Sequence, residues 1–419
     1  MAFTITEKIL ARAAGVGSCR AGDELNVKPD FVLGYDFPGY SEVFFQQMEE
    51  DFGITRLKEP HRYAFFIDHM VPAVTVAEEE LHRTTRAWGA RHQVAVHERK
   101  GIGHQVAAEL GYATPGAFVL HFDGHISQLG AFGTLALGVR RHILEAMVKE
   151  RIAIKVPETV RIDLTGTLSP GVMARDVFHH VVRILGAGSC RFKVVEFGGD
   201  AVAQWSVESR QTLCSLAMFT GAITAIINPD LRTLEHAQGR SLVELQPESS
   251  DADAVYFSRH SINVSSLEPV VVIPPNPANT RNLVDYLGTP VQVGYLGSCA
   301  SGRLEDLRAA AHVLRGRHIQ PGFQLHVVPT SQEIMSQAAR EGTLADLIAA
   351  GAFLSSPSCD YCYGRIGVMG PGQRAISTGT LNVPGRMGSA DSEIFLANAA
   401  SVAAAALEGA VADPRKYLD

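Results

Sequence analysis

The chain has 419 residues, 46% hydrophobic and 19% charged, with a net charge of −7. This length suggests two or three domains, and the hydrophobic content supports a sizeable core and excludes a disordered chain. The negative balance disfavours a general nucleic-acid binder, which needs a basic face to displace phosphate counterions.

In chain order, the opening "MAFTITEKILARAAG" reads as an amphipathic helix rather than a secretory signal, and no apolar run is long enough to cross a bilayer. The expectation is a soluble cytoplasmic protein with no membrane or nucleic-acid partner. Short runs rich in Val, Phe and Ile follow: "KPDFVLGYDFPG", "RYAFFIDHMVP", "HQVAVHE" and "GAFVLHFDGH". Each reads as a buried strand. The intervening "TVAEEELHRTTRAWGA" and "GIGHQVAAELG" read as helices. Such alternation predicts an α/β fold with parallel sheets and helical crossovers.

A second unit begins near "PETVRIDLTGTLSPG" and runs through "ARDVFHHVVRILG" and "FKVVEFGGD". The proline-rich "IPPNPANTRNLVDY" reads as a link to a third unit. That unit opens on "TPVQVGYLGSCASGRLEDLRAAAHVL" and closes on "SEIFLANAASVAAAALEGAV", read as an alanine-rich helix. The expected domains are therefore 1–155, 156–283 and 284–419.

Six cysteines argue against a disulfide framework. Cys19, Cys190 and Cys214 stand apart and read as ordinary thiols. Cys299, in "YLGSCASGR", lies between a strand and a helix, while Cys359 and Cys362 form a C-x-x-C pair in "SSPSCDYCYGRIG". Three readings stay open. A redox pair belongs at a helix start after a strand, and here Gly, Tyr and Arg follow it. A structural zinc needs a fourth ligand, and neither a second C-x-x-C nor a nearby His offers one. A [4Fe-4S] cluster normally takes four cysteines, so three would leave one iron open as a Lewis acid.

Polar residues recur where strands end: Asp68 and His69, then Asp123 and His125, with His104 in "GIGHQ". A carboxylate beside an imidazole fixes its tautomer and raises its basicity, which suits proton transfer. Taken singly, each of these histidines also reads as a satisfied polar residue at a strand end. Arg386, in the Gly-flanked "LNVPGRMG", has the geometry to clamp a carboxylate, although an isolated surface arginine is the plainer reading.

Taken in order, these pieces resemble one family. "IDHMVP", "FDGHISQLGAFGTLALGV", "GTLSPGVMARDVFHHVV", "VEFGGDAV", "GSCASGRLEDLR", "PSCDYCYG" and "GRMGSADSEIFLANAASVAAAALEGAVADPRKY" are similar to motifs of the aconitase superfamily. The likeness is to the large subunit of its 3-isopropylmalate dehydratase and homoaconitase branch, and it runs nearly end to end. The resemblance implies three α/β/α domains around a [4Fe-4S] cluster held by Cys299, Cys359 and Cys362. It also implies a fourth iron open to substrate and a hydro-lyase or isomerase activity on a small carboxylic acid. It makes Asp68, His69, His104, Asp123 and His125 the proton relay. It further implies a small partner subunit, because the motifs of the fourth, swivelling domain are missing.

The sequence departs from the family at the substrate. The usual "DSHT" reads "DGHI", with Gly124 and Ile126. Ser215 and Phe219 stand where the family has asparagine and a glutamate at the iron site. Thr380 and Leu381 replace an Asn-Arg pair, while Arg386 keeps the later arginine. An anchoring arginine contributes roughly 1.5–3 kcal/mol as a charge-assisted bond. The reading is a cluster enzyme with an altered substrate, one with fewer carboxylates or with an apolar group facing Phe219 and Leu381. The alternatives are a different reaction at the open iron, or a cluster protein that senses iron or redox state without catalysis.

Overall fold

A computed structural model describes residues 2–140 and 142–418. The chain divides into two compact units, each assembled from separated segments. The first comprises 1–99, 106–164 and 190–261, and the second 100–105, 165–189 and 262–419.

The first unit opens with the expected helix, Ile5–Ala14, started by a capping box in which Thr4 and Glu7 satisfy each other's backbone amides. Its main sheet has five strands in the order Ala95–Glu98, Tyr63–Ile67, Phe31–Tyr35, Phe118–His121, Leu135–Gly138. Every pairing is parallel. The central strands are buried on both faces, so they read as continuous apolar runs instead of alternating ones. The helix Val76–His92 is fixed to this sheet by Trp88, which stacks on Phe45 at 4.1 Å and meets Phe65 edge-on at 5.3 Å. Such pairs add about 0.5–1.5 kcal/mol each beyond their buried area. The unit also carries most of a four-stranded sheet, ordered Thr224–Ile227, Val194–Gly198, Thr159–Thr165, Ser258–Asn263.

The second unit is built on a seven-stranded mixed sheet. Its order is Thr280–Asn282, Val270–Val272, Glu393–Leu396, Arg374–Ser377, Val293–Leu296, Gln324–Val327, Phe353–Leu354. The first two pairings are antiparallel and the others parallel.

Two expectations are corrected here. The proline-rich stretch is no linker: its prolines form the turn after Val270–Val272, and its next residues, Thr280–Asn282, pair antiparallel with that strand at the sheet edge. The closing segment is not one helix. Glu393–Leu396 is a strand, because its Ile-Phe-Leu run completes the sheet beside Arg374–Ser377. The helix begins only at Ala399, where the side chain of Asn398 accepts a hydrogen bond from the amide of Ser401 at 2.8 Å. Among the described residues, no helix is long and apolar enough to cross a membrane.

Candidate active site

In the second unit, Cys299 follows the strand Val293–Leu296 and precedes the helix Leu304–Leu314. The turn between them is tight: Ser298, just before the cysteine, has φ +88°, a conformation that is strained for a residue with a side chain. Its hydroxyl donates to the carbonyl of Thr378 at 3.0 Å and accepts from the amide of Ala300 at 3.2 Å, which holds the turn. Cys359 caps a single 3-10 turn, Asp360–Tyr363, that contains Cys362 and is closed by Gly364 at φ +74°. A Cβ on Gly364 would sit 2.6 Å from the backbone carbon of Met387, so glycine is what lets this turn lie against the loop carrying Arg386.

The three thiols converge on shared neighbours. Arg386 donates from Nη2 to Cys362 Sγ at 3.3 Å, and the Thr380 hydroxyl lies 3.9 Å from the same sulfur. Burial alone would lower the pKa of Arg386. The negative charges of Cys362, Cys359 and Cys299, with the hydrogen bond to Cys362, outweigh it and hold the guanidinium firmly charged. The phenol of Tyr295, buried beneath the loops, is pushed well above its usual value by desolvation first and then by the same three sulfurs. The thiol of Cys362 is held well below its usual value, first by a hydrogen bond with Cys359 and further by Arg386. The Cys362 sulfur is therefore prepared as a thiolate, the form that ligates metal.

Among the described residues, no three His, Cys, Asp or Glu side chains are arranged to hold a metal ion. The donors are all soft sulfur, drawn from two loops, and they act together on one guanidinium. These features fit a larger thiolate-held group whose sulfurs need not meet on one atom.

His104 belongs to this same unit. Residues 100–105 join it through the amide of Ile102, which donates to the carbonyl of Thr330 at 2.9 Å, and through a bridge from Gly101 to Ser331. The next residue, Gln105, accepts from Nε of the fully buried Arg303 at 3.1 Å. Nη2 of Arg303 donates to the carbonyl of Cys299 at 2.7 Å. One guanidinium thus ties the Cys299 turn to the helix of His104. A second buried arginine, Arg175, donates to the carbonyls of Thr378 and Gly379 at 2.5 and 3.0 Å, just before Thr380.

The first unit holds the two Asp–His pairs at the carboxyl edge of its parallel sheet. Asp68 and His69 follow Tyr63–Ile67, and His69 Nδ1 lies 2.7 Å from Asp68 Oδ1, both side chains buried. The carboxylate accepts at Nδ1–H, which fixes the tautomer of the imidazole. Asp123 follows Phe118–His121, and its Oδ1 accepts from the amide of His125 at 2.6 Å and pairs with His125 Nδ1 at 3.0 Å. Nε2 of His125 is buried without a hydrogen-bond partner. Phe219 stands edge-on to this imidazole, with ring centroids 6.3 Å apart, so an apolar ring neighbours His125. Ser215 is fully buried, and its hydroxyl has no partner. It lies on the helix Val207–Leu216, which also takes the Ser127 hydroxyl onto the carbonyl of Cys214 at 2.6 Å.

The candidate residues thus fall into separate groups: Cys299, Cys359, Cys362, Thr380 and Arg386 together; His104 tied to the Cys299 turn; and each Asp–His pair on its own strand end. Sequence reasoning missed Tyr295, Arg175, Arg303 and Gln105. The only signal for Arg303 was its place just after the small residues of "SCASGR".

An α/β chain with thiolate loops on one sheet and Asp–His pairs on another defines a narrow class, and comparison with known proteins narrows it further. The profile of the aconitase family (aconitate hydratase) matches residues 46–288 and 279–409. The 3-isopropylmalate dehydratase large subunit 1 of Methanopyrus kandleri is 36% identical, over all of both chains. The probable methanogen homoaconitase large subunit of Methanothermobacter thermautotrophicus is 35% identical, over 99% of this chain and 98% of that one. Among solved structures, aconitase X of Thermococcus kodakaraensis aligns over 90% of this chain and 88% of its own, with a TM-score of 0.48 and 10% identity. The chain belongs to the aconitase family.

Proposed function

We propose that this chain is the large subunit of an aconitase-type [4Fe-4S] hydro-lyase or isomerase, acting on a small hydroxy acid outside the family's usual substrates. The observation that carries the reading is the Cys359–Cys362 turn set against Arg386, whose Nη2 donates to Cys362 Sγ at 3.3 Å, in the same unit as the Cys299 turn. These three cysteines would hold the cluster, which supplies a Lewis acid for a substrate hydroxyl or carboxylate. Arg386 serves two purposes: Nη2 steadies the Cys362 sulfur, and Nε, buried without a partner, is left to receive a substrate carboxylate.

In this reading His69 protonates the leaving hydroxyl, with Asp68 fixing its tautomer. His104, Asp123 and His125 complete the relay, and Thr380 and Ser215 line the substrate. Phe219 and Leu381 argue for the changed substrate. An apolar ring at His125 cannot replace the hydrogen bonds of an acid, and a substrate carboxylate placed there would be buried unpaired. The relatives are named as large subunits, which supports a small subunit as partner and as the source of the group that removes the carbon-bound proton.

The test is anaerobic purification with that partner, followed by assay against a panel of hydroxy acids in deuterated water. The expected result is a brown protein with about three to four irons per chain and substrate-dependent deuterium incorporation. A colourless, zinc-loaded protein would refute the cluster. A brown protein that exchanges no hydroxy-acid proton would favour the second reading, a different open-iron reaction or a sensor, to which the apolar partner of His125 already points.

A further inference from the structure

The central strand of the five-stranded sheet, Phe31–Tyr35, ends between the strands that carry the two Asp–His pairs. All three run parallel, so their carboxyl ends share one edge. Into that edge the chain delivers "YDFPGY", residues 35–40. The Tyr35 ring lies 4.8 Å from the His69 ring and 5.3 Å from that of His121. Phe37 meets His69 edge-on at 5.1 Å. From Phe37 the aromatic contacts pass to Tyr40 at 6.0 Å, and from Tyr40 to Phe122 at 6.2 Å. An unbroken aromatic wall therefore runs from an imidazole of the candidate site out to Tyr40, which is 40% exposed.

The loop does not depend on its outer rings for anchorage. Asp36 turns inward, fully buried, and accepts from the Ser41 hydroxyl at 2.9 Å. The amide of Asp36 donates to the carbonyl of Phe66 at 2.9 Å. Phe37 and Tyr40 stand clear of that anchor and keep part of their surface in water. Partly exposed aromatic surface beside a catalytic imidazole is costly unless something apolar covers it.

We infer that this wall receives an aryl or similarly bulky, planar apolar substituent of the substrate, with Phe37 and Tyr40 as the residues that select it. The inference rests on the hydro-lyase reading for its reaction, but not for its binding. An aromatic ring entering here would stack or meet edge-on with rings already spaced for such contacts, while the hydroxyl-bearing carbons lie toward His69. A short alkyl group would leave the wall wet.

The test has two arms. In the first, the reconstituted two-subunit enzyme is assayed with malate derivatives bearing methyl, isopropyl or benzyl groups. The benzyl compound is expected to lead the methyl compound by tenfold or more in kcat/KM, roughly the discrimination available to an apolar pocket. That ratio should collapse in Phe37→Ala and in Tyr40→Ala, with Tyr40→Ala the safer variant for folding. In the second, benzylsuccinate and methylsuccinate, which lack the reacting hydroxyl, are compared by calorimetry on the same protein.

A benzyl preference in both arms, lost in the variants, supports the inference. Tighter benzylsuccinate binding that Phe37→Ala abolishes, with no turnover of any compound, keeps the inference and sinks the hydro-lyase reading. Turnover favouring methyl or isopropyl, or a benzyl preference untouched by both variants, overturns the inference and leaves the hydro-lyase reading standing. No turnover and no difference in binding overturns both.

Discussion

Replacing Arg303 with methionine tests how the site of the second unit is held. The two side chains have similar reach, so the change removes charge and donors more than volume. Arg303 is fully buried, and its guanidinium serves the Cys299 carbonyl at 2.7 Å and Gln105 Oε1 at 3.1 Å. Its backbone amide donates to Asp306 at 3.2 Å. The carboxyl of Asp306 is pushed up to about 6 by burial and by Glu305, with Arg303 and Arg175 opposing the rise. Each buried acceptor left without its donor costs about 1–3 kcal/mol, and breaking a buried charge network costs about 3–5 kcal/mol in all. For a unit of this size that lowers the melting temperature by about 10 °C. The assay is thermal unfolding of the cluster-free chain, joined to hydrogen exchange read by mass spectrometry. Exchange should speed up at 297–303 and at 100–105 together, because one side chain ties both. A melting temperature within about 2 °C of the parent, which is under about 1 kcal/mol, would refute the reasoning. So would faster exchange in only one of the two segments.

Three further outcomes are expected. Asp68→Asn should lower turnover by about 10²–10⁴-fold, the usual weight of acid–base catalysis, with little change in KM; an equal rise in KM would mean that Asp68 binds substrate. Arg386→Gln should raise the titration of the Cys362 thiol, followed by thiolate ultraviolet absorbance of the reduced apo chain, and an unmoved curve would show that Arg386 does not stabilise that thiolate. Asp176 is pushed up to about 6 by burial, against its hydrogen bonds from Asn398, Met173 and Val270. Its contribution to stability is therefore complete below about pH 4 and is lost as pH rises through 6. Between those limits the parent should lose on the order of 3 kcal/mol more than Asp176→Asn, and parallel pH–stability curves would refute that.

What could be seen in the sequence was local. Runs such as "RYAFFID" and "AFVLHFD" declare strands because both faces are buried, and their polar ends mark the sheet edge. The C-x-x-C turn and the Cys299 turn stand out because small residues surround them. What could not be seen depends on pairing at long range. Arg303 and Gln105 are nearly two hundred positions apart, and nothing in "GIGHQ" hints at a guanidinium. Arg175 and Asp176, in "MARDVF", look like a solvated helix start, yet both are sealed in the core. The strand Glu393–Leu396 was hidden by the alanines after it, whose helix propensity spread over residues that the sheet then claimed. Phe219 was legible only as a departure from a family pattern; its place at the His125 ring needed coordinates.

The six residues 100–105 have a consequence for how the chain is made. They are synthesised amid segments of the first unit, yet their hydrogen-bond partners, Thr330 among them, belong to the second. At ribosomal rates of about 5–20 residues per second, Ile102 waits roughly 10–45 seconds for that partner to emerge. The first unit is likewise open until its last segment, ending at 261, has been translated. A gene split after residue 261 would keep every segment of the first unit on one fragment, yet it would strand 100–105 and 165–189 away from the rest of the second unit, which the two fragments must meet to complete.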